Sequence, residues 1–202
     1  LEEAPPASFR DQLKILTERR ILLSFAITGL GYGGTFVAFT YLAPLLEEVT
    51  GFNPKYVSVI LLIYGVAVAI GNTIGGKVSN KRPIKALFWM FVLQAIVLLL
   101  LAFVIPFKVL SLVVLFFMGL FAFMNVPALQ ILVVQLAEKY VPSAVNVASA
   151  LNIAAFNVGI AIGSTVGGVI VDTIGLVHTP WIGAVMVGGA VILTKLLNTM
   201  ER

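Results

Sequence analysis

The chain has 202 residues, of which 60% are hydrophobic and 11% are charged, and its formal net charge is +4. Soluble domains average about 45–50% apolar and about 25% charged residues, and a soluble fold of this length has too little interior to hide the excess. The absence of cysteine excludes disulfides and thiolate metal sites, and a single histidine cannot build a histidine-rich one. The composition therefore predicts an integral membrane protein without a metal or cofactor.

Residues 1–20 form the only sizeable polar segment. The chain starts at Leu1 rather than Met, in a polar stretch with two prolines, which suggests a piece of a longer protein that begins in a linker. Phe9, Leu13 and Leu16 fall on one face of a short helix that follows, with basic residues beside them. We expect a cytoplasmic linker and surface helix over residues 1–20, and a transmembrane half-domain over residues 21–202.

Six apolar segments make up the rest of the chain. Crossing the hydrocarbon core takes about 20 helical residues, and each segment reaches or nearly reaches that length. Strands of a membrane β-barrel would be about half as long and strictly alternating. The sequence therefore predicts an all-α bundle of six transmembrane helices, at about 21–46, 56–76, 86–105, 109–136, 144–171 and 181–197.

The lysines and arginines predict how these helices are oriented. An even number of helices places both termini on one side of the membrane. That side holds eleven of the 13 basic residues, and only Lys55 and Lys108 lie on the other. Basic residues concentrate in cytoplasmic loops, so we expect both termini to be cytoplasmic in a multi-pass protein of the plasma (inner) membrane. The basic pI of about 9.5 is then a topology signal and does not predict a nucleic-acid partner.

Small residues recur at helical spacing in the second and fifth segments. Such residues let helix backbones approach closely. The fifth segment has a second small and polar face that includes Asn157 and Ser164, which implies a second partner helix outside the chain. The residues predicted to pack helices or to meet another half are Gly65, Asn72, Gly76, Asn152, Gly159, Gly163 and Gly167.

The first and fourth segments hold the candidates for substrate contact, which are Tyr32, Phe36, Asn125 and Gln130. An aromatic stripe with nearby glycines suits either a mobile, cavity-lining helix or ordinary aromatic packing. Asn125 lies beside Pro127, which removes a backbone hydrogen bond from its helix. For each membrane amide, packing and ligand contact both remain open. The third segment is bulky and apolar on all sides, and we expect it, with Leu98, to face lipid.

Several motifs resemble, in order, those of a known family. They are residues 41–52, 64–76, 77–83, 127–130 and 157–164. Together they resemble the C-terminal six helices of the major facilitator superfamily, in the drug:proton antiporter group that includes arabinose, purine and multidrug efflux permeases. The resemblance covers essentially residues 8–197.

This resemblance implies one half of a twelve-helix fold. The first and fourth helices would line a central cavity, the second and fifth would meet the missing N-terminal half, and the third and sixth would face lipid. In the family, a basic loop with the pattern Gly-x-x-x-Asp-Arg/Lys-x-Gly joins the second and third helices. Here Asn80 stands in place of the Asp and the last Gly is absent. The loop residues are Lys77, Asn80, Lys81 and Arg82.

The leading hypothesis is secondary active efflux of a small molecule (a sugar, nucleobase or drug) by alternating access, coupled to protons. The alternative is a self-sufficient six-helix channel or carrier that works as a homo-oligomer. Enzyme activity is disfavoured, because Ser164 and His178 form the only nucleophile and base pair on offer. Fourteen residues separate them, which corresponds to roughly 21 Å of helix rise. All nine acids lie in loops, termini or helix ends, so a coupling carboxylate is expected in the other half.

Overall fold

A computed structural model of the protein describes residues 13–201. Six long α-helices account for most of this range, and each is long and apolar enough to cross a membrane. The predicted all-α, six-helix bundle is confirmed. The helices are α1 (Arg19–Phe39), α2 (Pro54–Ser79), α3 (Pro83–Val104), α4 (Lys108–Tyr140), α5 (Val145–Thr173) and α6 (Thr179–Met200).

The first helix is shorter than its apolar segment, because α1 ends at Phe39 and not near residue 46. The amide of Tyr41 bonds three residues back, to Ala38, at 3.1 Å, which tightens the last turn. Pro44 has no N–H, and its ring would clash with the carbonyl four residues earlier if the helix continued. The chain therefore turns and forms the short helix Leu42–Pro44 and the π-helical segment Leu45–Val49.

Local sequence signals explain where α2 and α3 begin. The side chain of Asn53 accepts a hydrogen bond of 3.0 Å from the amide of Lys55, which caps α2. Pro54 and Pro83 occupy the first positions of α2 and α3, where a missing N–H costs nothing. Both helices start a few residues earlier than the apolar segments alone predict.

The helices pack in two groups that meet at α1 and α4. Helix α1 runs along α5 and α6, whereas α4 runs along α2 and α3. Helices α3 and α6 also contact each other and form one side of the bundle. Helices α2 and α5 lie on the opposite side. Of the six, α1 is the most buried helix, and α2 and α5 are the least buried.

Helix α3 buries one face, although its composition gives no sign of it. Leu87, Phe91, Gln94 and Leu98 recur every three or four residues and are fully buried, whereas Leu99 is 43% exposed. The prediction that Leu98 faces lipid is therefore wrong. A helix that is apolar all round has no polar stripe to reveal which side meets its neighbours. Gln94 is satisfied in part, since its Nε2 donates to the hydroxyl of a threonine in α1 at 3.4 Å.

The two ends of the bundle are held differently. At one end Glu201 lies 2.8 Å from both Arg20 and Lys139, which joins the ends of α6, α1 and α4. At the other end the hydroxyl of Thr50 donates to the carbonyl of Ile105 at 2.7 Å. The end that holds Glu201 is also the one where the sequence predicts most of the Lys and Arg residues to lie.

The predicted surface helix lies only partly within the described range. Phe9 is outside it. Leu13 and Leu16 are about half exposed, whereas Ile15 between them is fully buried. Whether this segment lies on a membrane surface stays a prediction.

Candidate functional site

Six aromatic side chains meet between α1, α2, α4 and α5, and we call them the aromatic cluster. Tyr32 of α1 is its centre, with ring centroids 5.0 Å from Phe36 and 4.9 Å from Phe156. The Phe156 ring is edge-on to Tyr32, a favourable geometry for two aromatic quadrupoles. The full cluster comprises Tyr32, Phe36, Phe39, Tyr64, Phe123 and Phe156.

Residue spacing on α1 explains why it supplies three of the six. Positions 32, 36 and 39 follow one another by one helical turn each, so they share one face. Two of the predicted substrate residues, Tyr32 and Phe36, lie there. Helices α2, α4 and α5 contribute one aromatic residue each, and none of these three was predicted from the sequence to line a site. Their only sequence signal is that each stands close to a glycine or an amide (Tyr64 beside Gly65, Phe123 near Asn125 and Phe156 beside Asn157).

A chain of hydrogen-bonded side chains lies about one turn nearer the N-terminal ends of α1 and α5 than the aromatic cluster. Thr28 donates to Asn152 Oδ1 at 2.7 Å, and Asn152 Nδ2 donates to Gln130 Oε1 at 2.9 Å. Gln130 Nε2 in turn donates to the hydroxyl of Ser149. We call these four residues the polar network. The network links α1, α4 and α5. Both the oxygen and the nitrogen of the Gln130 amide are engaged in it, although Gln130 was predicted to contact substrate.

Asn125 is in the opposite situation. Its side chain is fully buried in α4, and neither amide atom has a hydrogen-bond partner among residues 13–201. The hydroxyl of Tyr64 is likewise buried without a partner in that range. An unsatisfied buried polar group costs about 1–3 kcal/mol, so such groups in a native fold call for a reason. Asn125 and Tyr64 lie on the paired helices α4 and α2, and each leaves buried polar atoms without a hydrogen-bond partner in that range.

The glycines of α5 form its contact with α1. A Cβ on Gly159 would lie 2.6 Å from the carbonyl oxygen of Gly29, and one on Gly167 would lie 2.7 Å from that of Val37. Gly163, midway between them, lies against the carbonyl of Gly33. Because the obstacle is backbone in each case, no side chain fits. Glycines on both α1 and α5 therefore allow the two helix backbones to pack closely.

On α2 the close contact is made by Gly71 and Gly75, whose four-residue spacing also predicts close helix packing, and not by Gly65, Asn72 or Gly76. A Cβ on Gly71 or Gly75 would run into carbonyl oxygens of α4. By contrast, Gly65 has no atom within 4 Å of where its Cβ would lie. Gly76 lies beside Pro127 with room to spare, and Asn72 is half-buried. Gly65 and its neighbours therefore line an open face of α2.

Helix α5 has a comparable open face. Asn157 and Thr165 are exposed there, and Ile153, Val158 and Ile162 are each more than half exposed. The half-buried Ser164 lies at its edge, where its hydroxyl is 2.8 Å from that of Thr40. We refer to these surfaces of α2 and α5 as the open faces.

The loop between α2 and α3 is fully accessible. Asn80, Lys81 and Arg82 of the loop are exposed, as is Lys77, which the structure places in the last turn of α2. Gln135 of α4 donates to the backbone carbonyl of Asn80 at 3.4 Å. With Asn in this position the loop has no acidic side chain. Elsewhere, no three His, Asp or Glu side chains of residues 13–201 are grouped so that they could hold a metal ion.

Comparison with protein families matches residues 2–148 to the Major Facilitator Superfamily, which is well over half of the chain. The chain belongs to the Major Facilitator Superfamily. The family predicted from the order of the motifs is therefore confirmed, and the six helices are those of a multi-pass membrane protein.

Relatives in this superfamily match most or all of the chain. It is 62% identical over 202 residues to YtbD of Bacillus subtilis (strain 168), an MFS-type transporter, covering 100% of this chain and 51% of that protein. It is 30% identical over 185 residues to the inner membrane transport protein YdhP of Escherichia coli (strain K12), covering 91% and 46%. A probable sugar efflux transporter of Helicobacter pylori (strain J99 / ATCC 700824) is 30% identical over 176 residues, covering 85% and 43%. The chain thus spans about half the length of the relatives that it matches.

A solved structure shows the same arrangement of helices. The chain superposes on the Major Facilitator Superfamily transporter FucP, in its outward conformation, with a TM-score of 0.76. The match covers 98% of this chain and 47% of that one at 18% identity. The likeness extends to the fold, and it identifies the six helices as half of a Major Facilitator Superfamily fold.

Proposed function

We propose that this chain is the C-terminal six-helix half of a secondary transporter that exports small molecules across the inner membrane by alternating access. Membership of a transporter superfamily supports this, as do the relatives described as an inner membrane transport protein and a probable sugar efflux transporter. The open faces of α2 and α5 suit contact with a second, non-identical half. The relatives' length, about twice that of the chain, agrees with that arrangement.

One observation carries the proposal. Four helices bring the aromatic cluster together, and α4 of the same group holds the buried, unpartnered amide of Asn125. Ligand pockets combine aromatic walls with a few well-placed polar groups. No Asp, Glu, Lys, Arg or His is buried in the range 13–201, so the site favours neutral or amphipathic molecules such as sugars, nucleobases or apolar drugs.

Transport by the complete protein tests this assignment. Cells that express it would be loaded with radiolabelled arabinose, adenine or chloramphenicol, and retention of each compound measured. We expect Tyr32→Ala, Phe36→Ala and Asn125→Ala each to reduce export of the recognised compound by about tenfold, the loss of one good contact. Phe103→Ala on the exposed side of α3 is the matched control and should leave export unchanged. Unimpaired export in all three variants, at normal protein levels, would show that the site lies elsewhere.

We further propose that both termini are cytoplasmic. The support is the asymmetry of eleven basic residues against two between the sides. Asn80 and Asn53 are both exposed and lie at opposite ends of the bundle. In intact cells, an impermeant maleimide should label an Asn53→Cys variant and spare an Asn80→Cys variant. The reverse pattern, or equal labelling, would contradict this orientation.

We also propose proton coupling, with the titrating carboxylate in the other half of the transporter. The described acids lie near the helix ends or in loops, and an amide such as Asn125 does not ionise. Glu48, Glu138 and Asp172 are exposed, and Glu47 is half-buried. Neutralising these four acids one at a time in the complete protein should preserve export driven by a pH gradient. Loss of the gradient dependence in one variant that still binds substrate would place the coupling group in this chain.

A further inference from the structure

A cavity of about 810 Å³ opens between α3, α4 and α6 at the basic end of the bundle. It lies away from the aromatic cluster and from the open faces, since α3 and α6 form the opposite side of the bundle. Four cationic side chains line it, and they come from the start of α3 and the ends of α4 and α6. They are Arg82, Lys85, Lys139 and Lys195.

Most of this positive charge has no counterion. Glu201 is the one acid that lines the cavity, and Arg20 and Lys139 already neutralise it at 2.8 Å each. Arg82, Lys85 and Lys195 are exposed and have no acidic partner in the part of the chain that the structure describes. Like charges around one cavity repel each other, so an anion in the cavity would relieve that repulsion.

A second, smaller cavity of about 350 Å³ adjoins the first at α3. The two share Arg82, Lys85 and Trp89, and the remaining walls of the smaller one are apolar. Leu93, one of these walls, lies two turns beyond Lys85 on α3, which is about 12 Å along the helix axis. Trp89 is 56% exposed between them, and tryptophan is enriched at the level where headgroups meet acyl chains.

A basic recess, an interfacial tryptophan and an apolar groove therefore follow one another along α3. This order matches a phospholipid, which presents phosphate, glycerol and acyl chain in sequence along the membrane normal. Basic pockets between transmembrane helices on the cytoplasmic side bind anionic headgroups. A soluble phosphate compound would use the recess and leave the groove without an occupant.

We propose that this composite cavity binds an anionic phospholipid in the leaflet that the basic end faces, with the headgroup on Arg82, Lys85 and Lys195 and an acyl chain beside Trp89 and Leu93. Three unneutralised cations favour a headgroup with two phosphates, as in cardiolipin, over one with a single phosphate. The site is independent of the substrate and of the transport direction.

Native mass spectrometry of the complete protein, with added cardiolipin, phosphatidylglycerol or phosphatidylcholine, tests the proposal. We expect cardiolipin to be retained in preference to the other two. A Lys85→Gln/Lys195→Gln variant should bind it about 30-fold more weakly, because each cation near an anionic surface contributes roughly fivefold in affinity. Both side chains are exposed, so the fold should be unaffected and melting in phosphatidylcholine unchanged.

The matched control is Lys77→Gln/Lys81→Gln, which removes the same charge from the same end outside the cavity. It should keep cardiolipin affinity within about twofold if the site is specific. An equal loss in both variants would reduce the effect to diffuse attraction and overturn the proposal. Displacement of cardiolipin by free pyrophosphate at comparable concentration would overturn it as well, in favour of a soluble anion, and so would unchanged binding in the cavity variant.

Discussion

Asn125 and Asn152 are fully buried amides on helices α4 and α5, and they serve different ends. Asn152 bonds to Thr28 and Gln130 and holds three helices in register. Asn125 has both amide atoms buried and unpartnered within the described chain. The first arrangement stabilises the bundle, whereas the second carries a cost that a bound ligand can remove. At the scale of single residues, this contrast is what separates a packing amide from a candidate binding amide.

Glu201 is the other residue with a distinct electrostatic role. Burial acts to raise the pKa of its carboxyl, but hydrogen bonds from Lys139 and Tyr140 and the nearby charges of Lys139 and Arg20 outweigh it, so the pKa is lowered. A lowered pKa means that the charged form stabilises the fold above the ordinary carboxyl value, about 4.3. That contribution is lost as the pH falls through the lower, folded-state pKa.

We therefore expect Glu201→Gln to lower the Tm of the purified protein by about 2–4 °C at pH 7, a modest effect because water screens the partly exposed partners. The difference from wild type should stay constant down to about pH 5 and shrink below about pH 4. Glu48→Gln, which removes an exposed acid at the other end of the bundle, is the control and should not shift the Tm. A Glu201→Gln difference that persists undiminished at pH 3 would contradict this role.

At the scale of helices, the contact between α1 and α5 depends on glycine more than on any polar bond. Gly163→Leu would drive a side chain into the backbone at Gly33, which cannot yield as a flexible side chain can. We expect a loss of several kcal/mol or a failure to assemble, beyond the roughly 1–3 kcal/mol of ordinary overpacking. Gly188→Leu on α6 is the matched control, since its Cβ would meet no atom within 4 Å. Thermal melting of both variants in detergent measures the difference, and equal Tm values would refute the close contact.

The sequence could predict the helices and some of their faces, but not which helices pair. Gly159, Gly163 and Gly167 lie on one face because they are four residues apart, and that much follows from helix geometry. The pairing of α1 with α5 depends on tertiary packing, so Tyr64, Phe123 and Phe156 could not be assigned to the aromatic cluster from local patterns. Leu98 was misplaced for a related reason: an apolar helix carries no mark of its buried side. The break after Phe39 was missed, because the apolar segment runs on to residue 46, although Pro44 signals a break.

At the scale of the whole molecule, the two least buried helices, α2 and α5, leave small and polar residues exposed. The open face of α5 combines Asn157 and Thr165 with apolar residues, and that of α2 contains Gly65. Exposed amides are costly against lipid, whereas amides and glycines suit close contact with other helices. The composition of these faces is therefore the strongest physical reason to place a second set of helices against them.

Spin labels on the open faces of the complete protein in lipid vesicles test this central claim most directly. Labels at Asn157→Cys and Val66→Cys should show low collision rates with dissolved oxygen, because a second half covers them, and a label at Leu99→Cys on α3 should show a high rate. Diluting labelled with unlabelled protein should leave the spectra unchanged, since the proposed second half would belong to the same polypeptide. Oxygen access at Asn157 and Val66 as high as at Leu99 would contradict the account. Dipolar broadening that disappears on dilution would replace it with a homo-oligomer of six-helix units.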